Sequence, residues 1–148
     1  MQDSAFMAAA IRKAAEDPCE VPVGAVIVCD DTIIAEAHNE QVARNDALAH
    51  AEILAITCAQ KALGTKQLKG CVMFVTLEPC PMCAGAIILS GLDRCVFAAF
   101  DSQYGCCGSV YALPMDPVFH HHTVCQGGLM QEEAKILLDT FFKGKRNQ

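Results

Sequence analysis

No apolar run in this 148-residue chain approaches the ~20 residues that a helix needs to cross a bilayer, which excludes a helical membrane span. The first residues, Met1-Gln2-Asp3-Ser4, lack the basic start of a signal peptide, so export is not expected. Positive charge is scarce as well: 11 Lys and Arg against 17 Asp and Glu leave a formal charge of −6. Phosphate binding normally relies on a basic surface, so bulk attraction to nucleic acid is not the expected mode. One local exception is Lys143-Gly144-Lys145-Arg146, which has no acid to offset it. By itself that run also suits a solvated helix end, where cations complement the carbonyl dipole. Internal repeats and any sign of a second domain are missing, so a single domain over 1–148 is expected.

What the chain does have is an ordinary globular composition, 53% apolar and 19% charged, and ten cysteines. That many cysteines in a short secreted protein would indicate a disulfide scaffold. Here Cys29, Cys58, Cys71 and Cys95 sit in apolar segments, where a free thiol acts as a small hydrophobe. Cys106-Cys107, adjacent and flanked by glycine, reads as reduced filler or as a reactive loop pair. Reduced thiols fit a cytoplasmic protein.

The pattern predicts alternating helices and strands. Asp3 or Ser4 can cap a helix running to about Asp17. Residues 23–29 and 32–37 read as a hairpin around Asp30-Asp31, and 39–48 as a polar loop. A helix over about 49–63 ends at Gly64, and 71–77 is a further strand. The 80–90 helix has scarcely a polar position, which predicts burial on every side and packing against a partner subunit. A strand at 95–100, a loop at 101–109, an edge strand near 123–126 and a helix over 131–142 complete the chain. Such alternation implies an α/β sandwich with helices on both faces of the sheet.

Two short strings carry the chemistry: His50-Ala51-Glu52 and Glu78-Pro79-Cys80-Pro81-Met82-Cys83. Cys80 and Cys83, three apart, share one face of a helical first turn and can bind one metal. Pro81 suits the first helical position, and the positive helix end favours both thiolates. His50 and Glu52 are two apart, and on a helix such residues point in different directions. His50 is therefore read as the third ligand and Glu52 as an acid/base. Three protein ligands leave a fourth position for water, as catalytic zinc sites do. Taken singly, Cys-x-x-Cys also fits a redox pair or half a structural zinc knuckle, and His-x-Glu occurs by chance. Together, His-x-Glu followed by Pro-Cys-x-x-Cys is the pattern of the zinc nucleobase deaminases.

On these residues the chain resembles the cytidine deaminase-like superfamily. Flanking strings narrow the resemblance to its bacterial tRNA adenosine deaminases: Glu20 to Val26, Ala49 to Ile53, Phe74 to Cys80, Met82 to Ala86, Gly108-Ser109, Gly128-Leu129 and Phe141-Phe142. The resemblance implies a cytidine deaminase-like fold, a three-layer α/β/α sandwich with a five-stranded mixed sheet. It implies one Zn2+ per subunit, hydrolytic deamination of adenosine to inosine at the wobble position of tRNA, the anticodon stem-loop as partner, and a homodimer. It also implies substrate contacts from Asn39, Ala51, Asp101 and Phe142: the amide on the purine edge, Asp101 against the ribose, and the aromatics on splayed bases. Read alone, Asn39 is equally a turn residue, an aspartate opening a loop such as Asp101 is usually a turn former, and an aromatic at a helix end such as Phe142 is more often core.

The sequence departs from these relatives at Phe100 and Gln103, where basic residues are common, and at Ala47-Leu48, where Pro-Thr is common. His120-His121-His122 reads as a solvated loop or a second metal site. Two other readings remain. Guanine deaminase shares His-Ala-Glu and Pro-Cys-Pro-Met-Cys, and the stretch from Asn45-Asp46 to Cys83 is similar to it. Cytidine deaminases usually carry Cys where this chain has His50. A non-catalytic, zinc-stabilised subunit is the other alternative, but it has no need of Glu52.

Overall fold

A computed structural model describes residues 2–146 as five strands and four α-helices. Gly24–Cys29 forms β1 and Thr32–His38 forms β2, joined through Asp30 and Asp31, both at positive φ (50° and 61°). Short acidic side chains tolerate that left-handed pair, and the turn it makes matches the twist of a hairpin. Cys71–Leu77 is β3, Arg94–Ala99 is β4 and Val124–Gly127 is β5. The sheet order is β2-β1-β3-β4-β5. β1 runs antiparallel to both neighbours, whereas β3, β4 and β5 are mutually parallel. The five-stranded mixed sheet implied by the family resemblance is present.

Side chains alternate between the two faces of the sheet. Ala25, Ile27, Met73, Val75, Cys95 and Phe97 pack against α2 (Ala51–Leu63) and α3 (Pro81–Ser90). Val26, Val28, Phe74, Val96 and Ala98 pack against α1 (Gln2–Ala14) and α4 (Gln131–Arg146). Burial on both faces explains why the central strands are continuously apolar rather than alternating. α1 lies so close to β1 that a Cβ at Gly24 would overlap the Ala10 carbonyl, so only glycine fits there.

Two helix ends and one turn depart most from the sequence reading. α1 stops at Ala14 rather than Asp17, because the chain tightens over Ala15 and Glu16 and the residue before Pro18 disfavours helical backbone. α4 passes Phe142 and continues to Arg146, since Lys143 and Lys145 are strong helix formers that carry it past Gly144. A short 3₁₀ turn at Leu113–Met115 was not expected. Nor is α3 enclosed on every side: Leu89 is 79% exposed on the single chain. All ten cysteines are free, and Cys71, Cys83, Cys95, Cys106 and Cys107 are buried. Among the described residues no helix is long and apolar enough to cross a membrane.

Candidate active site

The parallel strands β3 and β4 end at one edge of the sheet, where open α/β sheets place their sites. Because β1 is antiparallel, its start reaches the same edge, as does the end of β2. Five connections therefore converge there: Val21–Val23 before β1, Asn39 after β2, His50 before α2, Glu78–Cys80 after β3 and Asp101 after β4. Together they line a cavity of about 280 Å3, walled by Val21, Val23 and Leu77, with Gln41 and Tyr104 also contributing.

His50 and Cys80 are the cap residues of α2 and α3, each with extended backbone (φ −75°, ψ 148° and φ −73°, ψ 177°). This is why each helix begins one residue after its ligand. The extended cap lets the side chain swing over the helix end, and Cys83 joins it from the first turn of α3, which Pro81 opens. His50 Nδ1 lies 3.6 Å from the Cys80 Sγ and 3.5 Å from the Cys83 Sγ. A tetrahedral zinc with Zn–S of about 2.3 Å and Zn–N of about 2.0–2.1 Å sets its nitrogen and sulfur ligands about 3.6 Å apart. The three donor atoms lie within 4.8 Å of one another, and they are the residues that fit a metal among those described.

The sulfurs compete for protons. A hydrogen bond from Cys83 holds Cys80 well below the ordinary thiol range, at about 4, aided by His50. Cys83 is pushed up by the Cys80 side chain and by burial. His50 is raised, chiefly by its contact with Cys80. Such a donor set suits a divalent cation, which deprotonates coordinating thiols outright. Glu52 stands beside this triad rather than in it. It is 4% exposed, lines the cavity, and is lifted to about 7 by burial. Spacing placed it on a different face from His50; because His50 is a cap residue, both side chains instead line one cavity, with Glu52 against Cys83 but outside the three-donor cluster.

The expected substrate residues separate. Asn39 lines the cavity, 5% exposed, and its amide is already engaged: the oxygen accepts the Ala51 N–H (3.0 Å) and the nitrogen donates to the Val21 carbonyl (3.0 Å). Its turn role and its position at the cavity thus coexist. Ala51 is wholly buried and reaches the site through that N–H. Asp101 lines the cavity while its Oδ1 accepts the N–H groups of Gln103 and Tyr104 (both 3.0 Å). Phe142 lies outside the cavity, in a groove with Phe141, Lys145, Cys19, Glu20 and Val42. Val21 and Gln41 line both, so the groove adjoins the cavity. His121 Nε2 donates to the Leu92 carbonyl (2.6 Å), between α3 and β4, and belongs to no metal cluster among the described residues.

Two acids escaped sequence reasoning. Glu78 is 2% exposed, and its carboxyl oxygens accept the N–H groups of Asp101 (3.0 Å), Cys107 (3.2 Å) and Ser109 (2.8 Å) together with the Ser109 hydroxyl. Glu20, 3% exposed, accepts the N–H groups of Val42 (3.1 Å) and Ala43 (2.8 Å). A carboxylate set among apolar residues next to a loop was the available signal. Replacing Glu78 with alanine strands several donors at once, so a loss of about 2–4 kcal/mol is expected in urea denaturation. An unchanged midpoint would show the 101–109 loop to be held by other contacts.

The model of the cytidine and deoxycytidylate deaminase zinc-binding region matches residues 1–99. The tRNA-specific adenosine deaminase of Bacillus subtilis (strain 168) is 45% identical over 149 residues, spanning 99% of this chain and 92% of its own. The chain belongs to the tRNA-specific adenosine deaminase family. A solved structure from work on A-to-I editing by tRNA:A34 deaminases at the wobble position of transfer RNA agrees with this deaminase at a TM-score of 0.86 and 39% identity. It covers 91% of this chain and 99% of that one. Guanine deaminase from Bacillus subtilis agrees at a TM-score of 0.66 and 40% identity, over 70% of this deaminase and 68% of its own chain. The cytidine deaminase-like fold and the zinc donors of this deaminase thus stand on geometry and kinship together.

Proposed function

We propose that this deaminase hydrolyses adenosine to inosine at the wobble position of a tRNA anticodon. The observation that carries the reading is that the cavity of His50, Glu52 and Cys80 shares the wall residues Val21 and Gln41 with the groove of Phe141, Phe142 and Lys145. A cavity of about 280 Å3 lies near the lower end of the roughly 300–1,000 Å3 usual for small-ligand sites, enough for one extruded base. The aromatic and basic groove beside it suits the single-stranded nucleotides that follow. A cytoplasmic location follows from that substrate.

His50, Cys80 and Cys83 would hold zinc, which supplies at its open fourth position a water acidic enough to attack near neutral pH. Glu52 takes a proton from the attacking water and delivers it to a ring nitrogen of adenine. It then takes the proton of the hydroxyl newly bound to the ring carbon and passes it to the amino group, so that the carbon–nitrogen bond breaks, the carbonyl forms and ammonia leaves. Its burial keeps the carboxyl close to neutrality, so it can both accept and donate. Val21, Val23 and Leu77 keep bulk water from the exchange. Asn39, already braced by Ala51 and Val21, has one amide hydrogen left for the base.

The protein is proposed to act as a homodimer of single-domain subunits. On α3, Leu89 is 79% exposed and a Cβ on Gly85 would meet open space; beside them Ile53, Ile56 and Ala86 line a shallow groove between α2 and α3. Leu89→Glu is expected to yield monomers in sedimentation, with the fold retained; a persistent dimer would move the interface elsewhere.

Incubation of the zinc-loaded protein with an anticodon stem-loop bearing A34, with guanine and with cytidine, followed by chromatography, tests the substrate. Inosine from the stem-loop is expected. Xanthine from guanine, without inosine, would overturn the reading in favour of guanine deaminase.

A further inference from the structure

Tyr104 stands at the rim of the cavity, and the chemistry above makes no use of it. The residue lines the same space as Asn39, His50 and Glu52 yet is 64% exposed. Its position is fixed from several directions. The Tyr104 N–H donates to Asp101 Oδ1 (3.0 Å), the Gly105 N–H to the Asp101 carbonyl (3.0 Å), and the Cys106 N–H to the Pro79 carbonyl (2.8 Å). Gly105 sits so close to the Glu78 carboxyl that a Cβ would overlap it. The backbone under Tyr104 is thus braced, so only side-chain freedom is lost when the ring meets a ligand.

A base that enters the cavity must leave the stack of its own strand, and the base beside it then loses a stacking partner. An exposed aromatic ring at the entrance can replace that partner. We propose that Tyr104 is a specificity-determining residue, stacking on a base that flanks the target adenosine and so favouring an RNA loop over a free base. This rests on the RNA reading given above. Free guanine or free nucleosides have no flanking base, so this stacking contact is missing from their binding.

The test uses the full zinc-loaded chain as wild type, Tyr104→Ala and Tyr104→Phe, with melting temperature and zinc content checked for each. The substrates are an anticodon stem-loop with adenosine at the wobble position, intact or abasic at the nucleotide immediately 5′ or 3′ of it. With the intact stem-loop, Tyr104→Ala is expected to raise KM about ten-fold while kcat changes by less than about two-fold, and Tyr104→Phe to behave as wild type. On one of the two abasic substrates wild type and Tyr104→Ala should have equal KM. Unchanged KM for Tyr104→Ala, no rescue by Tyr104→Phe, or a difference that survives both abasic substitutions would overturn the stacking role. If wild type makes inosine normally, that failure belongs to Tyr104 alone. If wild type leaves the stem-loop untouched, the RNA reading and this inference fall together.

Discussion

Glu52→Gln is expected to lower kcat by about 10³- to 10⁴-fold while leaving zinc content at the wild-type level. Glutamine keeps the size and shape of the side chain, so the walls of the cavity stay where they are. What it removes is the one group that can carry a proton between the attacking water and the base. Glu52 is nearly inaccessible, and burial lifts it to about 7, which suits a group that must both take and return a proton. It also lies outside the His50, Cys80 and Cys83 cluster, so the metal should stay in place. Elemental analysis and turnover on the same preparation give the two readouts. Near-normal turnover would remove Glu52 from the mechanism, whereas loss of zinc would make it a ligand.

The second large effect concerns Cys83. Changing it to alanine should reduce zinc affinity by more than about 100-fold, beyond the 10- to 100-fold typical of losing a mere supporting contact, and abolish turnover at trace zinc. Only His50 and Cys80 then remain, and two donors do not define a tetrahedral site. Binding of a metal to the native state alone raises stability with its concentration. Added zinc should therefore raise the melting temperature of chelator-treated wild type and leave that of Cys83→Ala where it was. An equal rise in both would mean that the metal is held elsewhere.

The reaction centre was legible because its constraints are local. His50 and the Cys80–Cys83 pair are short strings whose donor chemistry fixes the metal, and Pro81 marks the helix start that brings the sulfurs together. The strands could be read because burial on both faces makes them continuously apolar, as in Cys71–Leu77. Substrate recognition was harder to read, since its residues meet only through tertiary structure. Asp101 and Glu78 are joined by a hydrogen bond across 23 positions, and no local pattern announces such a pairing. Phe142 and Gln41 border one groove although 101 positions separate them in sequence. Tyr104 passes for an ordinary loop residue until the cavity beside it is seen. The uniform apolarity of α3 does not say which face the same chain covers and which is left for a partner subunit; only the structure singles out the open face at Leu89.

The anchoring of the 101–109 loop on Glu78 separates two kinds of inheritance within one small fold. The interior contacts, from Glu78 to the backbone of Asp101, Cys107 and Ser109, fix the path of the loop without involving its outward side chains. Tyr104, Val110 and Tyr111, all exposed, are thus free to vary while the scaffold beneath them persists. A lineage, or an engineer, could rewrite what this enzyme admits by exchanging outward side chains of this segment, Tyr104 at the cavity first among them, leaving the metal and its proton carrier untouched.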